Sequence, residues 1–220
     1  MTMTATTPLS TLGRSPAAKS STADKLLEGA SELMIQRNSI EVSLSEIAQK
    51  SGVNAALVKY HFGNKDGLLL ALLARDAANE MTNLDYLLAQ PISPTAKLKL
   101  HIAGIMKAYY QFPYMNQLIQ YLLHESSHDA ANEVSNFFVG PLFNFQSKLL
   151  EEGYSAGEFR KLDPVLFYTS LIGACDNLFR SRHAMSRAIG VGPITDEVCR
   201  DYVAYMTSLM LGGVLTNPKG

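Results

Sequence analysis

Tryptophan is absent, cysteine occurs only twice, and neither sign of charge dominates. Cys175 and Cys199 stand far apart with no C-x-x-C between them, which excludes a disulfide framework and a cysteine zinc knuckle. A reducing, cytoplasmic setting is therefore expected. Lys and Arg total 19 against 20 Asp and Glu, a formal net charge of −1, so the chain is no uniformly basic coat for nucleic acid or an anionic membrane. Its longest unbroken apolar run, Leu68 to Ala74, falls far short of the roughly 20 residues that cross a bilayer, and no membrane partner is expected. There is no G-x-S-x-G, Walker A or G-x-G-x-x-G, so neither a cofactor nor an enzymatic activity is expected from those motifs. The first 20 residues, rich in Thr, Ser, Pro and Ala, have no apolar stretch that would make a secretory leader; residues 1–20 read as a disordered tail.

What remains is helical almost throughout. Sustained period-2 alternation is missing, whereas Leu26, Leu27, Ala30, Leu33 and Met34 form a stripe of period 3.6. Ser43-Leu-Ser-Glu46 is a capping box opening a short helix to about Lys50, and Ser51-Gly52 ends it. Asn54 then caps a second short helix, Ala55 to Phe62, and Gly63-Asn64 separates it from a long helix running from Lys65 to Gln90. Ser93-Pro94 starts a helix to about Phe112, and Pro113 restarts one to about Ser127. Further helices are expected over about Ala131–Glu152, perturbed early by Gly140-Pro141, and over Asp163–Met185 and Thr195–Leu211. The fold class is all-α.

Within residues 21–66, three helices fit the pattern of a helix-turn-helix, in which a support helix steadies a second helix that enters a major groove. Leu44, Ile47, Ala48, Val53, Leu57 and Val58 supply its apolar interior, leaving Ala55, Ala56, Lys59, Tyr60 and His61 outside. Alanine allows close approach and can touch a thymine methyl; Lys59 can reach a guanine edge or a phosphate; Tyr60, His61 and Lys65 suit the backbone. On charge the head is weak: residues 1–66 carry seven Lys/Arg and six Asp/Glu, a net of +1, and Glu41 and Glu46 lie near the proposed face. A generic helical hairpin with solvated charges is the competing reading of these residues.

The stretch from Ser43 to Lys65 resembles the signature of the TetR (tetracycline-repressor) family of bacterial transcriptional regulators. It carries an Ile47-Ala48 pair, then Gly52-Val-Asn54, Tyr60-His-Phe62 and Asn64-Lys65, followed by Asp66-Gly-Leu-Leu. The resemblance implies that Ser43, His61 and Lys65 hold phosphates, with Asn54, Ala55, Ala56, Lys59 and Tyr60 on the recognition face. Family members usually have Tyr at the position of Lys59 and Thr or Ser at that of Leu57, so the operator sequence does not carry over.

The resemblance further implies that residues 67–220 form an effector-binding and dimerisation domain, whose last two long helices make a bundle with a second copy. A homodimer on a palindromic double-stranded DNA operator is then expected, released by a small, mainly apolar or aromatic effector and acting as a repressor. The half is rich in aromatic and Met residues, as ligand sites are, although most such residues in any domain are ordinary core. Met106, Tyr110, Tyr121, His124, Phe143, Asp176, Asn177 and Arg180 are the candidate pocket residues, with Arg180 one turn from Asp176 and able to pair with it.

One motif points elsewhere. His124-Glu-Ser-Ser-His128 is a literal H-E-x-x-H, which on a continuous helix places two imidazoles on one face for zinc beside a glutamate base. The helical pattern ends near Ser127–His128, so coincidence is preferred and no metal is expected; a regulatory contact by His124 and His128 stays open.

Overall fold

The computed structural model describes residues 21–217, and the expected tail over 1–20 lies outside the described residues. Among the described residues the chain forms α1 (Thr22–Arg37), α2 (Leu44–Ser51), α3 (Ala55–Phe62), α4 (Lys65–Ala89), α5 (Pro94–Gln111), α6 (Met115–His124), α7 (His128–Val134), α8 (Gly140–Ser155), α9 (Pro164–Arg180), α10 (Arg182–Ile189) and α11 (Asp196–Val214). The only extended pairing among them is an isolated bridge between Phe159 and Leu215. The chain is all-α, with an N-terminal helix-turn-helix head and a C-terminal helical body.

Local chemistry explains the helix starts. Ser21 and Ser43 each accept from the backbone N–H three residues on, while Asp24 and Glu46 reach back to the cap N–H, so α1 and α2 both open with reciprocal capping boxes. Asn54, Asn64, Ser93, Asp163 and Thr195 cap α3, α4, α5, α9 and α11 through their side chains. Each cap contributes about 1 kcal/mol. Gly52 ends α2 at φ 64°, a left-handed conformation that glycine adopts without a Cβ penalty.

The helices from α6 to α11 depart from the sequence expectation. The helix expected to reach Ser127 stops at His124, since the Ser126 hydroxyl donates to the Leu122 carbonyl and Ser127 caps α7 instead. A π-helical turn over Ser135–Val139 then precedes Pro141, which has no N–H to continue the regular ladder. The helix expected to continue to Met185 breaks at Ser181, and α10 follows as a separate, wholly surface-lying helix. α11 reaches Val214, beyond the expected end at Leu211.

Two parts share one continuous core. In the head, Leu26, Ala30, Met34, Ile47, Ala48 and Val58 close against Leu68, Leu69 and Leu72 of α4. Gly67 permits this approach: a Cβ there would lie 2.1 Å from the Phe62 carbonyl oxygen at the end of α3. In the body, Leu98, Ile102, Met106, Leu118, Phe145, Leu149 and Phe179 are buried. Lys97 fastens three helices there, its ammonium donating to the Leu88 carbonyl at 2.6 Å and pairing with Glu152 at 2.7 Å. α4 thus has its first half in the head and its second in the body.

Candidate nucleic-acid interface and effector cavity

Of the eight residues of α3, only Val58 is buried. Asn54, Ala55, Ala56, Lys59, Tyr60 and His61 are all exposed, Tyr60 by 80%. Leu57, expected inside, is instead 37% exposed and adds an apolar edge to this face. The short helix can bury only a single ridge, and Val58 occupies it. The helix is held from below by α2 and α4, so its outward face is free to meet a groove.

Of the two acidic residues expected near this face, Glu46 is paired with a cation, while no ion pair among the described residues involves Glu41. Glu46 pairs with Arg37 at 2.7 Å and Glu32 with Lys50 at 2.8 Å. The hydrogen bond from Arg37 and the donors of Ser43 hold the Glu46 carboxyl down to about 2. No ion pair among the described residues involves Lys59. Two of the expected phosphate holders are already engaged: Ser43 donates its hydroxyl to Glu46 at 2.7 Å, and the Lys65 ammonium lies 5.9 Å from the Tyr121 ring centroid. Ser43 and Lys65 can therefore reach DNA only by sharing or exchanging those partners, whereas Lys59 and His61 present their polar atoms outward.

The head is wired to the body by polar contacts on α6 and the residue before it. Tyr114, fully buried, donates its hydroxyl to the Asp76 carboxylate of α4 and shares a 2.8 Å hydrogen bond with Ser31 of α1. Asp76 also meets Arg75, which reaches Glu28 of α1 at 3.3 Å. Burial pushes the Asp76 carboxyl up, while Arg75 and Tyr114 oppose that shift. Gln117 donates to the Asn38 carbonyl at 3.3 Å, and Tyr121 donates to Asp66 at 3.2 Å.

A cavity of about 310 Å³ lies between α4 and α5, closed by residues of α6, α8, α9 and the π-helical turn. Its walls are mainly apolar: Met81, Leu84 and Leu87 from α4, Ile105 and Ala108 from α5, and Met115, Phe138, Leu142 and Ile172. Polar groups are few, chiefly Glu80, His101 and Tyr109. His101 is buried, its Nε2 lying 3.0 Å from Gln146 Nε2, and desolvation lowers its pKa to about 3. A neutral ring accepting from the Gln146 amide satisfies this geometry, leaving buried Gln146 Oε1 without a partner. Burial and the nearby Asp176 push the Tyr109 hydroxyl up, so it stays protonated. The volume sits at the lower end of small-molecule sites.

None of the eight candidate pocket residues lines this cavity. Met106 is fully buried and Tyr110 meets Asp196 at the start of α11, because they occupy other faces of α5 than His101, Ile105 and Ala108. Tyr121 serves the head contact, His124 is exposed, and Phe143 meets the Tyr168 ring at 5.8 Å. Asp176 is buried and pairs with Arg180 at 3.3 Å, while Asn177 accepts from Ser181 at 2.8 Å. The missed signal was a stripe on α5, His101, Gly104, Ile105, Ala108 and Tyr109, whose two small residues open space between large ones.

The H-E-x-x-H is divided between two helices. His124 ends α6 and His128 begins α7, so the imidazoles do not share the face of one continuous helix. Among the described residues, no group of three or more His, Cys, Asp and Glu is placed to hold a metal ion.

Comparison with known proteins agrees with the architecture. Residues 26–72 match the family model of bacterial regulatory proteins of the tetR family, and residues 91–220 match the tetracyclin repressor-like C-terminal domain. The HTH-type transcriptional regulator BetI of Brucella abortus is 30% identical over 79 residues, covering 36% of this chain and 40% of that protein. Among solved structures, the regulator FadR of Bacillus subtilis, in complex with stearoyl-CoA, aligns with a TM-score of 0.66 at 17% identity, over 86% of this chain and 97% of that one. The ketosteroid transcriptional regulator KstR2 of Mycobacterium tuberculosis aligns at 0.68 with 19% identity, over 91% and 98%. With a family model spanning more than half its length and a second matching its helix-turn-helix, the chain belongs to the TetR family of bacterial transcriptional regulators.

Proposed function

We propose that the protein is a cytoplasmic repressor that binds a palindromic operator as a homodimer and is released by a small, mainly apolar effector. The observation that carries this reading is the double role of α4. Leu68, Leu69 and Leu72 support the recognition helix, while Ala77, Met81, Leu84 and Leu87 wall the cavity. An occupant that moves the second half of this helix tilts the first, and with it Ala55–His61. Coupling is reciprocal: operator DNA weakens effector binding by the same factor.

Exposed apolar side chains on the last long helices support the dimer. Val165 and Leu166 on α9 are 57% and 69% exposed, and Tyr205 and Leu209 on α11 are 63% and 54% exposed. Gly173 and Gly212 are exposed on the same two helices and permit close approach by a symmetry mate. The two recognition helices would then lie one helical turn apart, roughly 34–36 Å.

In-vitro selection from random duplex DNA at about 0.1–0.15 M salt tests the reading, since electrostatic binding is weak enough there for specificity to show. An enriched palindrome is expected. Failure to enrich any sequence, also after ligand stripping, refutes DNA regulation. Gly104→Leu, which fills the cavity, is expected to keep operator binding but abolish release by ligand.

A further inference from the structure

The chemical class of the effector can be read from the charges around the cavity, an inference that rests on the cavity being the effector site. The one charged side chain among the described residues lining it is Glu80 on α4. Among the described residues no lysine or arginine lines the space, and no ion pair involves Glu80. The carboxylate looks across to α5: its Oε2 stands 3.6 Å from where a Cβ on Gly104 would be, and Gly104 is itself a wall of the cavity. The absent side chain at residue 104 is what leaves room in front of Glu80.

No other described residue of the cavity lining supplies positive charge. His101 is buried, its Nε2 faces the Gln146 amide nitrogen at 3.0 Å, and burial lowers its pKa to about 3, so the ring is neutral. Tyr86 and Tyr109 also line the space, and aromatic rings attract cations to their faces. A carboxylate ligand entering this space would meet Glu80 with no cation to offset it, and unpaired like charges in a desolvated site are costly.

We infer that the effector is an apolar cation, an ammonium group carried on a hydrophobic body, with Glu80 as its charge partner. Such a ligand buries its hydrocarbon against Met81, Leu84 and Ile105 and leaves its nitrogen at the carboxylate. The class of a fatty acid, or of any other anionic amphiphile, is disfavoured by the same geometry.

The test uses three probes of equal chain length: n-decylamine, n-decanol and n-decanoate. Their affinities for the full-length protein are measured by titration calorimetry, and release is followed on the selected operator. The amine is expected to bind about tenfold or more tighter than the alcohol, as a charge-assisted contact implies, and decanoate weakest. In Glu80→Gln, which keeps the shape of the side chain, the amine-to-alcohol ratio is expected to collapse to near one, and Gly104→Leu to weaken amine and alcohol together. Decanoate binding as tightly as the amine, with Gly104→Leu blocking both, overturns the charge assignment and leaves the cavity as effector site. Amine binding that survives Gly104→Leu, or no binding by any probe, overturns the assignment and the cavity reading with it.

Discussion

Replacing Tyr114 by Phe removes a single oxygen from the junction of head and body and leaves the ring in place. Tyr114 is fully buried, and its hydroxyl serves two partners that are themselves buried, Asp76 at 7% and Ser31 at 4% exposure. A hydrogen bond to a charged acceptor contributes about 1.5–3 kcal/mol and a neutral one about 0.5–1.5, so the loss should be about 2–4.5 kcal/mol. The ring fills the same volume in both proteins, so no cavity cost is added. Urea denaturation at neutral pH measures this as a lower midpoint at unchanged slope.

The same substitution has a pH signature. Burial raises the Asp76 carboxyl above its ordinary value, and the Tyr114 hydroxyl is one of the groups that opposes this. A carboxyl raised in the folded state contributes stability at low pH and loses it as pH rises through the folded value. Without the hydroxyl the folded value rises further, so the deficit of Tyr114→Phe should be largest near neutrality and shrink on acidification. Protonated Asp76 no longer needs the donor. A loss below about 0.5 kcal/mol, or a deficit that does not change with pH, would show that Tyr114 is packing alone. Ser31→Ala made in both backgrounds adds the coupling term: residues sharing one network should depart from additivity by about 0.5 kcal/mol or more.

Lys59→Ala should cost about 1–3 kcal/mol of operator affinity and relax one position per half-site if Lys59 reads a base; a uniform loss across sequences in repeated selection would make it a phosphate contact. Glu46, held at about 2 against an ordinary 4.5, stabilises the folded head above pH 4.5 and loses that contribution as pH falls toward 2. Glu46→Gln should therefore flatten thermal stability across that window, and an unchanged acid profile would deny the Arg37–Glu46 pair its role. His101 has a folded value of about 3 against 6.5; stability from its neutral form is full above 6.5 and falls by up to about 1.4 kcal/mol per pH unit below it, a slope that His101→Asn should remove in denaturation measured from pH 7 to 4. Leu209→Asp on the exposed face of α11 should shift sedimentation toward the monomer at micromolar concentration and abolish operator binding; an unchanged dimer would place the interface elsewhere.

The head was legible in the sequence because its determinants are local. A capping box, a Gly at a left-handed turn and an Asn cap are each written within four residues, and their physics does not depend on what packs above them. The exception is informative. Leu57 looked like interior because leucine usually is, but its burial depends on how α3 is rolled against α2 and α4, a tertiary quantity. The long helices of the body fared the same way: α4, α5 and α9 begin where caps and N1 prolines place them. Their ends drifted where the cause was a serine back-bond at Ser126, a shift of the backbone ladder before Pro141, or a break at Ser181.

The cavity was not legible, and the reason is geometric. An aromatic-rich half offers many side chains that could line a pocket, and choosing the largest and most polar selects residues that fill the core, as Met106 does, or stand at the surface, as His124, Asn177 and Arg180 do. An empty volume is made by what is small: Gly104 and Ala108 on one turn-spaced stripe of α5, facing Ala77 on α4. Asp176 and Arg180 did find each other one turn apart, because that pairing is local to a helix. Their distance from the cavity wall is set by the rotation of α9 against α5, to which no spacing rule within α9 is sensitive. Glu80 escaped attention for the converse reason. On a helix of mixed composition a lone glutamate reads as a solvated charge, and only the absence of a side chain on the facing helix turns it inward as a candidate ligand contact.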